Sequence, residues 1–114
     1  MAMALSVWLI SGCGQSHKNR GIIEDFMQTR MNLEDYDVLS WSEPQTTYFV
    51  SDSMLQAMRR RAQASRLVRG NVPYKAKTDR LVFMEVRYVT GQDTIRQTFY
   101  LDDKNTGVVG FKTN

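Results

Sequence analysis

The sequence predicts an α+β domain, with two helices packed on a curved antiparallel sheet that ends in a three-stranded meander. Three observations carry this. Apolar residues recur at three- and four-residue spacing in two early stretches, 21–31 and 54–67. Residues 81–112 instead alternate with a period of two, across two turn clusters. The helical stretches come early and the strands run consecutively at the end, which argues for α+β with both helices packed on one face of the sheet.

Each element has its own local reason. From Gly21 to Met31, the residues Ile22, Ile23, Phe26, Met27 and Met31 form one apolar stripe. Glu24 and Asp25 complement the positive end of that helix, Arg30 complements the other end, and Asn32 is the expected stop. Tyr36 to Trp41 alternates as a strand. Pro44 cannot donate a ladder hydrogen bond, so Ser42-Glu43-Pro44 is expected as a bend, bulge or edge, with Gln45 to Val50 strand-like beyond it. Ser51-Asp52-Ser53 is a helix-start cluster, because short polar side chains accept from free backbone N–H groups. A second helix follows from Met54 to Leu67, and Gly70 before Pro73 is the expected C-cap. Leu81–Thr90, Thr94–Leu101 and Val108–Lys112 then make the meander, with turns at 91–93 and 102–107. Phe26 and Val86 are expected in the core that joins helix to sheet.

The N-terminus carries a different signal. Ala2 to Ile10 is apolar, and Ile10-Ser11-Gly12-Cys13 resembles a bacterial lipobox. A secretory leader needs an apolar region of roughly 7–15 residues followed by small residues at the cut. Cys13 is the only cysteine, so it cannot form an intramolecular disulfide, and thioether lipidation would account for it. No Lys or Arg precedes Lys18. The apolar run is too short for a transmembrane helix, which needs about 20 residues. The expected organisation is a lipoprotein signal peptide over 1–12, a lipidated cysteine and polar tether over 13–20, and one α+β domain over 21–114. Gly14-Gln15 after the cysteine points to an outer-membrane rather than an inner-membrane lipoprotein of the cell envelope.

The net charge of +3 hides a segregation. Residues 59–80 hold eight basic residues against Asp79 alone, and the rest of the chain is net acidic. Such segregation bears on partners rather than on fold. Within it, Arg59, Arg66, Arg69, Lys75 and Lys77 are the candidate binding residues. The three successive arginines at 59–61 spread around a helix and cannot all face one partner.

The order of elements resembles that of small bacterial lipoproteins with a cystatin-like or NTF2-like domain. Ile10-Ser11-Gly12-Cys13, Tyr36-Asp37-Val38-Leu39-Ser40-Trp41 and the meander Phe83 to Phe111 carry the resemblance. It implies a helix cradled by a curved sheet, and no particular activity.

Catalytic chemistry finds little support. His17 is the only histidine and falls in the expected tether, where nothing holds it near a nucleophile. No glycine-rich phosphate loop occurs, Asp102-Asp103 lacks the spacing of a calcium loop, and the cystatin inhibitory motif Gln-x-Val-x-Gly is missing. The expectation is a non-enzyme with no cofactor and no metal. It is held to a membrane by its lipid and docks an envelope partner or anionic headgroups, rather than nucleic acid, through residues 59–80. The alternative is an NTF2-like pocket using Glu85 and Arg87, which share a strand face opposite Val82, Met84 and Val86.

Overall fold

The computed structural model describes residues 2–114, with side chains from Ser16 onward. Helix α1 spans Ala2–Arg30, β1 Asp37–Trp41, β2 Gln45–Thr47, α2 Asp52–Ala64, β3 Leu81–Thr90, β4 Asp93–Leu101 and β5 Val108–Thr113. The strands form one antiparallel sheet in the order β1-β3-β4-β5, and β2 also pairs with β3. The fold is α+β, as the periodicities require.

The proline region resolves into one interrupted edge. β1 pairs with β3 at residues 86–89 and β2 pairs with it at 81–83, so both lie along the same side of β3. Ser42 closes the gap, its N–H donating to the Glu85 carbonyl at 2.9 Å and its hydroxyl accepting from the Glu85 N–H at 2.8 Å. The ladder thus survives next to a residue that cannot join it. The β3–β4 hairpin turns on Gly91 and Gln92, with Thr90 opposite Asp93. Gly91 has φ +61°, which a II′-type turn demands at its first central residue.

Alternation splits the sheet into two apolar faces. On one face Val82, Met84, Val86, Tyr88, Phe99, Leu101, Val108 and Phe111 pack with Ile23, Phe26, Met27 and Met31 of α1. Both expected core residues, Phe26 and Val86, are there. On the other face Leu81, Tyr100 and Val109 pack with Val50 and with Leu55 and Met58 of α2. Ala62, one turn further along α2, belongs to the first core. The helices therefore do not share one face: α2 straddles the β5 edge and touches both. Gly110 makes this approach possible, because a Cβ there would sit 2.6 Å from Leu55 Cδ1.

Helix α1 is longer at its N-terminal end than the sequence pattern suggests. The polar stretch 14–20, expected as an irregular tether, is helical. Ser16 and Asn19 are buried and extend the stripe of Ile23, Phe26 and Met27 at helical spacing. No proline interrupts the segment, and polarity alone does not break a helix. The expected leader 1–12 and lipidation at Cys13 concern side chains outside the described residues.

The ends of the helices meet. α2 closes on a Schellman motif: Leu67 N–H donates to the Ala62 carbonyl at 2.9 Å and Arg66 N–H to Gln63 at 3.1 Å. The left-handed residue this requires is Arg66, at φ 57°, rather than Gly70, which lies in the loop beyond. Asn32 then ties the two ends together, its amide donating to the carbonyls of Arg66 at 2.8 Å and Val68 at 3.1 Å, while Asn32 N–H donates to Leu67 at 2.9 Å. Arg66→Gly is expected to raise stability by about 0.5–1 kcal/mol in urea unfolding, since glycine adopts this conformation without a Cβ clash.

A buried polar cluster sits in the first core. The Tyr88 hydroxyl donates to Gln97 Oε1 at 2.8 Å, and Gln97 Nε2 donates to Thr113 Oγ1 at 3.1 Å. Burial, with a smaller contribution from neighbouring Tyr36, pushes the Tyr88 hydroxyl up to about 12. An unfolded tyrosine ionises near 10. Between about pH 10 and pH 12 the unfolded chain therefore loses a proton that the folded chain keeps, and stability falls as pH rises. The urea midpoint of the wild type should decline more steeply above about pH 10 than that of Tyr88→Phe, which lacks the titrating group. Parallel curves would show that Tyr88 titrates alike in both states.

Candidate functional site

The site that charge and cavity single out is built around α2. Ser51, extended at φ −80° and ψ 165°, caps the helix by accepting from Met54 N–H at 3.2 Å. Leu55, Met58 and Ala62 are its buried stripe. That stripe fixes the helix rotation, and so fixes where each of the three successive arginines points.

Arg59 points inward along β5. Its Nε donates to the Val109 carbonyl at 3.0 Å, one Nη donates to the Lys75 carbonyl at 3.1 Å, and its guanidinium carbon lies 4.7 Å from the centre of the Tyr74 ring. Arg59 is a clamp between α2, β5 and the loop before β3. It is half-buried, whereas Arg60 and Arg61 are exposed.

The other candidate cations do not form one patch with it. Arg66 and Arg69 are exposed at the junction where the helix ends meet, and Arg69 N–H donates to the Arg30 carbonyl at 2.8 Å. Helical spacing from Arg59 does not carry through to Arg66, because the helix ends at Ala64 and the chain turns left-handed. Lys75 joins the loop to the sheet, its N–H donating to the Val108 carbonyl at 2.9 Å. Lys77 faces the exposed carboxylate of Asp52 at 4.0 Å, a contact of small energetic weight.

Glu85 and Arg87 line none of the cavities described below. They lie on the sheet face opposite α1, in register with Thr98 and Arg96. Glu85 is held there by Arg96 at 3.5 Å and by the Asn114 amide at 2.9 Å, and Arg87 is exposed. Three cavities among the described residues, beside α2 and beside α1, touch neither residue. The physical reason is that α1 takes the other face, while α2 reaches this one only as far as Leu55 and Met58. The strand face was legible in the sequence, but which helix would cover it was not.

Helix α2 stands as a ridge between two hollows. One, of about 450 Å³, lies against β5, with Met54, Met58 and Phe111 among its walls and Arg61 and Lys112 as its only charged residues. The other, of about 370 Å³, lies against the 68–74 loop and is bordered by Arg59, Arg60, Gln56, Gln63 and Asn71. No carboxylate lines either hollow. Among the described residues no three metal-ligating side chains come together. Asp102 is a turn residue: burial alone would raise its pKa, but hydrogen bonds from the Thr106 hydroxyl and the Thr106 and Gly107 N–H groups outweigh this and hold it below the usual carboxylate range.

Arg61 and Lys112 are the functional candidates that sequence reasoning missed. The 100° step per residue already separated Arg61 from Arg59, but nothing in the sequence paired it with a residue 51 positions later. Phe49, 87% exposed beside Tyr48 at 66%, is likewise unforeseen, because that stretch reads as strand. No protein family, curated protein or solved structure matches this chain.

Proposed function

We propose that the protein is a non-catalytic cell-envelope lipoprotein, anchored through Cys13, that docks an anionic surface or acidic envelope partner through the free cations at and beyond the end of α2. The observation that carries this is that Arg60, Arg66 and Arg69 are exposed and, among the described residues, have no carboxylate within 4.0 Å. The negative ends of the two helix dipoles lie nearby and offset part of this charge without neutralising it. The surplus remains available to a partner, and phosphate-bearing headgroups are the anionic surface an envelope protein meets.

The test combines Arg60→Gln, Arg66→Gln and Arg69→Gln in one protein. Arg59 is left intact, because removing it would confound binding with stability. Binding to vesicles containing anionic lipid, and to native envelope membranes, should fall in the triple variant while its melting temperature barely moves. Wild-type binding should weaken with salt, since the Debye length falls from about 10 Å at 0.1 M to about 3 Å at 1 M. Salt-independent binding, or binding unchanged in the triple variant, would overturn the docking reading. The anchor is tested separately by Cys13→Ser. A variant that still partitions with membranes and keeps the mass of an acylated protein would remove the lipoprotein assignment.

A further inference from the structure

We infer that the hollow between α2 and β5 is a binding site for a single-chain amphiphile with an anionic head, such as an alkyl carboxylate. This goes beyond the docking reading and does not depend on it, since it uses Arg61 and Lys112 rather than Arg60, Arg66 and Arg69.

The walls are of two kinds. Met58, Ala62 and Phe111 are among the buried core residues, and Met54 is 47% exposed at the hollow. A large apolar side chain left half in water at a cavity of about 450 Å³ marks surface still available for burial. Methionines are flexible and polarizable, and two of them let such a wall fit an alkyl chain without a fixed shape. The charged groups are Arg61 and Lys112, one from the helix and one from the strand, so an anion in the hollow would have two cations among its walls. The hydroxyls of Ser65 and Thr113 add hydrogen-bonding capacity. An apolar hollow of some hundreds of Å³ with a few polar groups is the usual composition of a small-molecule site.

The absence of acid along these walls selects the sign of the ligand's head. A cationic amphiphile would meet two like charges and no partner, and a neutral one would gain no attraction from either cation. An alkyl chain gains from burial at about 0.8 kcal/mol per CH₂, so affinity should rise with chain length until the hollow is filled.

The experiment titrates the full chain with dodecanoate, dodecanol and dodecyltrimethylammonium below their micelle concentrations, following amide shifts by NMR. Dodecanoate should bind most tightly, with the largest shifts at residues 54–65 and 111–113. Arg61→Glu combined with Lys112→Glu should weaken it about tenfold or more. Ala57→Trp, which fills the hollow from the exposed side of the helix, should abolish shifts for every ligand while the far-UV spectrum is retained. Equal affinity for the three ligands, unchanged dodecanoate binding in the charge-reversed protein, or shifts that map elsewhere would each overturn the assignment. Loss of vesicle docking in the Arg60, Arg66 and Arg69 variant with dodecanoate binding intact would separate this site from the docking surface.

Discussion

Replacing Phe26 with alanine should lower the unfolding free energy by about 3–5 kcal/mol, the range of a buried large-to-small change. The ring is 7% exposed and meets three others: Phe111 at 5.7 Å and 70°, Phe99 at 6.1 Å and 74°, and Tyr74 at 5.9 Å and 31°. The first two contacts are edge-on, the geometry aromatic quadrupoles favour. Phe26 therefore ties α1 at once to β4, to β5 and to the loop before β3. Few neighbours can relax into the space, because Phe99 and Phe111 are already stacked on each other at 5.0 Å. A domain of this size is stable by about 5–15 kcal/mol in all, so the loss should move the urea midpoint far while leaving the denaturant slope unchanged. A change below about 1 kcal/mol would mean that α1 is not docked on the sheet.

The second large effect is expected at Arg59. Arg59→Ala should cost about 2–3 kcal/mol, the upper range for hydrogen bonds made by a charged group, because two backbone carbonyls lose their donor and the Tyr74 ring loses its cation. Arg59→Lys keeps the charge but not the planar fork, and should recover little of the loss. Vesicle binding, measured well below the melting temperature, should be nearly the same in all three proteins. A stable Arg59→Ala protein with weakened binding would return this residue to the docking surface.

The Arg59 result shows how far the sequence reaches. Period-two alternation located the meander closely, because burial on one face leaves a direct trace in the order of residues. Turn chemistry located Gly91 for the same kind of reason: a positive φ has few tenants. Pairings between distant positions left no such trace. That Arg59 reaches the carbonyl of Val109, or that Arg61 and Lys112 line one hollow, depends on the rotation of α2 at the sheet edge. The apolar stripe of Leu55, Met58 and Ala62 fixes that rotation, but no local pattern says that Leu55 will lie over Gly110 of β5. Basic residues crowded in one segment of the sequence therefore divide in the fold: Arg59 is a clamp, Arg61 lines a hollow, and Arg66 and Arg69 lie exposed where the helix ends meet. The α1 boundary was missed because polar residues were taken to mean irregular chain. Ser16 and Asn19 nevertheless keep helical register with the apolar stripe and are buried.

The contacts of α1 also set an order of events during synthesis. Its partners Phe99 and Phe111 lie 73 and 85 residues after Phe26. At about 5–20 residues per second, the ribosome needs roughly 4–17 s to deliver β5 after Phe26 has been made. Until then the stripe of Ile23, Phe26, Met27 and Met31 lacks part of the sheet that covers it. The meander assembles from neighbours, but the helix that completes its core is made first and housed last. Such a nascent chain keeps part of its core face exposed until β5 arrives.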